Sequence, residues 1–131
     1  RRAGIRADCL HGDIKQATRE KTMADFRHGK LPVLIATDVA SRGIDVDDVD
    51  GVINYDVPEE NEYYIHRIGR TGRARKKGIS FTLLGSFPEK AKLDEIAKFA
   101  GFRIVPMIFD EYGCLVPAPA EEKHPTSRRR F

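Results

Sequence analysis

Cysteine is scarce in this chain: two residues in 131, Cys9 and Cys114, far apart in sequence. No CxxC pair occurs and no Cys/His spacing suits zinc, so neither a disulfide framework nor a metal ligand is assigned. The two thiols are expected to be reduced, and either buried or without a role. Long apolar runs are also missing. Nothing approaches the ~20 residues of a membrane-spanning helix, and no signal peptide is visible. There is no initiator methionine either. The chain opens on "RRAGIRAD", the look of a piece cut from something longer.

What is present is charge, unevenly placed. Charged residues make up 33% of the chain, which suits a cytoplasmic protein, and hydrophobic residues make up 40%, enough for a packed core. The net charge is only +3, but between Asp38 and Glu62 there are nine acids and a single base, Arg42. Between Arg67 and Lys77 there are six bases and no acid. Crowded like charges cost stability unless an anion is meant to sit among them, so the stretch "YYIHRIGRTGRARKKG" (63–78) points to an anionic partner.

Apolar runs and helical patterns alternate along the chain. "ADCLHG" (7–12) reads as a strand. A helix is expected over about 15–28, with Asp13 as its N-cap, Gly29 as its stop, and Met23 and Phe26 on one face. "LPVLIATD" (31–38) and "VDGVINYDVP" (49–58) read as buried parallel strands. "EENEYYIHRIG" (59–69) is a second helix with acids in its first turn, and "GISFTLL" (78–84) a third apolar strand of the same kind. "FPEKAKLDEIAKFAG" (87–101) is an amphipathic helix, with Pro88 near its start, Gly101 at its end, and Leu93, Ile96, Ala97 and Ala100 on its core face. "FRIVPMIF" (102–109) adds one short extended piece. The order implies an α/β fold with a mostly parallel sheet covered on both faces. The domain is expected to span 1–110, with a disordered basic tail at 111–131.

Ligands of open α/β sheets bind at the carboxyl ends of strands, which directs attention to "HGD" (11–13), "ATDVASRGIDV" (36–46), "YDVP" (55–58) and the basic loop at 69–77. In the second of these, Gly43 lets the backbone approach a ligand closely, and the Thr37 hydroxyl suits a phosphate oxygen. Asp45 accepts only, so it suits a ribose hydroxyl. An ordinary loop with Asp38 as a cap and Asp45 solvated fits the same spacing. Arg70 and Arg73 are three apart and flanked by Gly69 and Gly72, which places two guanidinium forks at a helix end, suited to phosphate oxygens or to charge on a transferring phosphoryl group. A solvated basic turn would look alike. The chain has no GxxxxGK[ST] loop and no acidic cluster of the kind that holds Mg²⁺ at a strand end. If the arginines act on a nucleotide, it is held elsewhere.

These residues resemble a family. "HRIGRTGR" (66–73) resembles motif VI of the DEAD-box RNA helicases and "ATDVASRGIDV" their motif V. "QATR" (16–19), just after "LHGD", is similar to their QxxR element, and "INYDVP" to the segment before motif VI. The resemblance is to the second lobe, a three-layer α/β/α RecA-like domain of the P-loop NTPase type. It implies an ATP-dependent RNA helicase whose ATP and Mg²⁺ are held mainly by an N-terminal lobe of the same protein, so that this piece alone would be inactive. Carried over by position, Arg70 and Arg73 would be arginine fingers, with His66 and Arg67 coupling ATP to the facing lobe. Asp45, with Gly43 and Arg67, would belong to the ATP side. Gly12, Gln16, Arg19, Thr37 and Arg42 would lie on or near the RNA-backbone track, read without base preference. Ser41 stands where the family commonly has Ala. The strand and helix that normally precede "RRAGIRAD", including motif IV, are absent, so the lobe is expected to be N-terminally truncated. Two other readings remain: a non-catalytic RNA-binding module, and a lobe of a DNA-directed helicase of the same superfamily, against which His66 and the QxxR element argue.

Overall fold

A computed structural model of the chain describes residues 2–38, 46, 48–72 and 77–119. Two β-α-β units follow one another. The first is β1 (Ala7–Leu10), α1 (Gln16–Arg27) and β2 (Val33–Ala36). The second is β3 (Gly51–Asn54), α2 (Asn61–Ile68) and β4 (Ile79–Thr82). Then come α3 (Phe87–Ala100), β5 (Met107–Phe109) and β6 (Leu115–Pro117). Parallel strands need a crossover, and α1 and α2 lie on those crossovers. β1 pairs with β2 from Ala7↔Val33 to Leu10↔Ala36, and β3 with β4 from Gly51↔Ile79 to Asn54↔Thr82. The expected α/β class and parallel pairing are therefore present, among the described residues as two separate two-stranded sheets.

Helix ends follow local chemistry. At α3, Ser86 is the N-cap and its hydroxyl accepts the Glu89 N–H, while the Glu89 carboxylate accepts the Gly85 N–H. Pro88 sits in the first turn, and Gly101 ends the helix in the left-handed region at φ 76°. At α1 the expected cap is wrong. Lys15 occupies the N-cap with no side-chain bond, and Asp13 lies short of the helix in a turn closed by Ile14 N–H to the His11 carbonyl. Asp13's own N–H donates to His11 Nδ1.

Two apolar clusters form the core. Leu10, Met23 and Val46 are buried together, with Ile14, Phe26, Leu34 and Val49 against them. Tyr64, Leu93 and Ile96 form the other, with Val57, Ile68, Phe102 and Ile104. The Tyr64 ring stacks on Phe102 at 5.8 Å and its hydroxyl lies 2.9 Å from Thr82 Oγ1. Leu93, Ile96 and Ala97 are buried as expected on α3, but Ala100, in the last turn beside Gly101, is exposed. The strands depart further from expectation. Leu34 packs against the Leu10–Met23–Val46 cluster and Val52 is half-buried, yet Ile35 is 59% exposed and Ile53 72%. Alternation sends neighbouring side chains to opposite faces, and only one face of each pair is covered by described residues.

The boundary expected at residue 110 falls inside a hairpin. β5 and β6 pair antiparallel, with Met107 opposite Pro117, so ordered structure runs past the expected end of the domain. Residues 120–131 of the expected tail lie outside the described residues. Cys9 and Cys114 are free and exposed. Among the described residues no helix is long and apolar enough to cross a membrane.

Candidate functional site

The β1–β2 register sets one edge of the site. Leu10 lies opposite Ala36, so Gly12 and Thr37 leave the sheet at the same end, and the Thr37 N–H donates to the Leu10 carbonyl at 3.4 Å. Gln16 opens α1 directly beyond that edge and contacts Glu20 at 3.3 Å, with Arg19 on the next positions of the helix. Gly12, Gln16 and Thr37 are exposed and Arg19 is half-buried. Four residues expected on or near one RNA-backbone track are thus collected at one sheet edge and the start of one helix. Arg42, Gly43, Asp45 and Arg73 lie outside the described residues.

Arg67, in the last turn of α2, is turned into the lobe. Its Nε and Nη2 donate to the two oxygens of Asp38 at 2.7 and 2.6 Å. Its Nη1 donates to the Asp56 carbonyl at 2.9 Å and to Asp56 Oδ1 at 3.0 Å. The fork matches a carboxylate edge-on, which a lysine ammonium cannot do. The bond to Asp38 raises the Arg67 pKa, partial burial opposes this, and the Asp38 and Asp56 charges add to the rise. Asp38 follows β2 and Asp56 follows β3, so a single side chain ties together the ends of strands from separate sheets. From sequence Arg67 is expected on the ATP side, with no carboxylate partner named. The usable signal was the acid-rich run before the basic one, which leaves carboxylates available to one arginine.

Beyond Arg67 the chain turns. Gly69 is the C-cap of α2, and Arg70 Nε donates to the His66 carbonyl at 3.3 Å, which fixes the root of the arginine side chain against the helix end. The His66 side chain is exposed. The turn packs against the starts of β3 and β4 rather than at strand carboxyl ends: Val49 N–H donates to the Arg70 carbonyl at 3.1 Å, and Val49 and Thr71 form a parallel bridge. Thr71 and Gly78, both central to this packing, were not singled out from sequence.

An open cleft of about 320 Å³ adjoins Arg67, lined by Asp38, Asp56, Glu59, Glu60, Tyr63 and apolar Val57 and Pro58. Four carboxylates against one arginine make it unfavourable for phosphate. Among the described residues no group of three or more His, Cys, Asp or Glu is placed to hold a metal ion.

Comparison with known proteins gives this geometry a context. Residues 1–75 match the model of the helicase conserved C-terminal domain. The chain is 47% identical over 110 residues to the probable ATP-dependent RNA helicase DDX17 of Mus musculus, covering 82% of this chain and 17% of that protein. It superposes on the C-terminal domain of the DEAD-box protein Dbp5 with a TM-score of 0.72 at 39% identity, over 76% of this chain and 59% of the other. It also superposes on Saccharomyces cerevisiae Dbp5 bound to RNA and ADP BeF3, with a TM-score of 0.70 at 39% identity, over 76% of this chain and 27% of the other. The chain spans less than a fifth of the length of DDX17.

Proposed function

We infer function from one premise: the chain belongs to the helicase conserved C-terminal domain family, as the second RecA-like lobe of a DEAD-box RNA helicase. It works, on our reading, as the half of an ATP-dependent RNA helicase that grips the RNA backbone and presents arginine fingers. An N-terminal lobe of the same protein holds most of the ATP and Mg²⁺, and bound ATP supplies the γ-phosphoryl group. The observation that carries this reading is the placement of Arg70. It emerges from the end of α2, tethered to the His66 carbonyl, on a turn whose backbone is bonded to Val49. A guanidinium held this way meets developing phosphoryl charge without reorganising at the moment of reaction. Arg73 would share the task, and His66 and Asp45 would face the nucleotide. Gly12, Gln16, Arg19, Thr37 and Arg42 would contact phosphates and 2′-hydroxyls, with no base preference.

The test joins the chain to an ATP-binding N-terminal lobe and measures RNA-stimulated ATP hydrolysis. Arginine fingers are worth roughly 10³–10⁵ in kcat. Two fingers overlap, so Arg70→Ala should lower kcat toward or below the low end of that range while the melting temperature holds. Arg70→Lys should rescue poorly, because a point charge lacks the fork. Near-wild-type kcat in Arg70→Ala, or a loss that follows unfolding, would sink the reading.

A further inference from the structure

We propose that Thr71 is a positioning residue, whose hydroxyl holds the Arg70 turn in the geometry the finger needs. This rests on the finger reading above but concerns a residue with no part in it.

Arg70 is anchored at its root by the His66 carbonyl, yet a bond within one helical turn does not locate that turn in the lobe. Location comes from Val49 and Gly78. Val49 lies two residues before β3 and Gly78 one residue before β4, and the register Gly51↔Ile79 brings the starts of these strands together. On the Val49 side two bonds run in opposite directions: the Val49 N–H donates to the Arg70 carbonyl at 3.1 Å, and the Thr71 hydroxyl donates to the Val49 carbonyl. The Thr71 N–H closes the turn onto the Ile68 carbonyl at 3.2 Å. The next residue, Gly72, takes φ 71°. On the other side, a Cβ added at Gly78 would lie 2.4 Å from Gly72 N and 2.5 Å from Thr71 Oγ1, so only glycine admits this approach. The turn is therefore held between two strand starts, and the Thr71 hydroxyl is the side-chain member of the bond pair to Val49.

The geometry gives the hydroxyl a separable job. Removing it while keeping the β-branched shape, as in Thr71→Val, deletes the side-chain bond to the Val49 carbonyl and leaves the backbone pairing of the Val49–Thr71 bridge in place. The backbone pairing of that bridge then carries the register without side-chain support. A shift of about 1 Å at a finger is enough to cost on the order of a hundredfold in rate. Ser keeps the hydroxyl and loses only a methyl group.

The experiment uses the chain joined to its N-terminal lobe, in wild type, Thr71→Val, Thr71→Ser and Arg70→Ala. Two quantities are read: kcat with saturating RNA and ATP, and amide hydrogen exchange at Val49 without nucleotide. Thr71→Val should lower kcat tenfold or more, with KM for ATP within about threefold of wild type. It should also speed Val49 exchange about tenfold, because the bond from the Val49 N–H to Arg70 opens with the turn and the turn has lost one hydrogen bond of support. Thr71→Ser should stay within about twofold on both. If Val49 exchange is unchanged in Thr71→Val, the hydroxyl does not hold the turn against Val49, and the proposal fails whatever the rates. If Thr71→Ser is as impaired as Thr71→Val, the methyl group and not the hydroxyl matters, and the proposal fails. If Arg70→Ala is impaired while Thr71→Val keeps wild-type kcat, positioning fails and the finger reading stands. If Arg70→Ala keeps wild-type kcat, the finger reading itself has failed.

Discussion

Arg67 is the residue where geometry and stability meet most directly. Its side chain is 19% exposed and that of Asp38 29%, so the pair sits between a surface ion pair and a buried one. Removing the arginine leaves the Asp38 carboxylate half-buried without its fork. Hydrogen bonds to charged groups of this kind contribute about 1.5–3 kcal/mol each. Arg67→Ala should therefore lower stability by roughly 2 kcal/mol in urea unfolding, and Arg67→Lys by less, because the charge survives without the bidentate match. The pH dependence follows from the direction of the shift. The folded-state pKa of Arg67 is raised above arginine's ordinary value. Its stabilisation is thus fully present below that ordinary value and is lost only as pH rises through the raised one. The difference between wild type and Arg67→Ala should be flat from pH 6 to 9. A slope across that window would show that another group in the network is titrating.

At the scale of elements, the most testable feature is the β5–β6 hairpin. Its turn is organised by Asp110, whose Oδ1 accepts the N–H groups of both Tyr112 and Cys114, while Gly113 takes φ 76°. Asp110→Ala removes both bonds and should cost the hairpin about 1 kcal/mol, seen as faster amide exchange at Tyr112 and Cys114 with α3 unaffected. The hairpin also marks where sequence patterns stop being informative. Three-residue strands carry too few alternations to show a period, so "MIF" and "LVP" read as an isolated piece and a tail. The longer elements were legible: α3 carries its serine, proline and glycine at the positions its two ends require. The strands were half legible. "LPVLIATD" announces a strand buried on both faces, and the strand is there, but Ile35 stays exposed because covering a second face depends on what packs there. The site divides the same way. Arg70 and Thr37 are candidates on residue type and spacing alone. The Arg67–Asp38–Asp56 pairing and the Val49–Thr71–Gly78 packing join segments up to 29 residues apart, and nothing local encodes such a meeting.

For the molecule as a whole, the question is where its cations act, since the net charge of +3 conceals nine acids from Asp38 to Glu62 and six bases from Arg67 to Lys77. One of those bases, Arg67, is committed to Asp38 and Asp56. The cleft beside it carries Asp38, Asp56, Glu59 and Glu60 and repels a phosphate chain. On the proposed reading RNA meets few cations, chiefly Arg19 and Arg42, and the basic run serves ATP. The two arrangements differ in their response to salt. Each phosphate neutralised on a single strand contributes about −0.7 to the slope of log K against log salt. In the two-lobe protein without ATP, replacing Arg19 and Arg42 together with Ala should make that slope shallower by about 1.4, twice the single-phosphate value. Replacing Arg75, Lys76 and Lys77 together with Ala should leave the slope within about 0.5 of wild type, less than one phosphate. Poly-U and a mixed-sequence strand should behave alike, because phosphates and 2′-hydroxyls carry no base identity. The measurement is a fluorescence anisotropy titration of single-stranded RNA at several salt concentrations. If the triple replacement flattens the slope and the double one does not, RNA lies on the basic run, and Arg70 would then be bound to the RNA backbone instead of to the γ-phosphate.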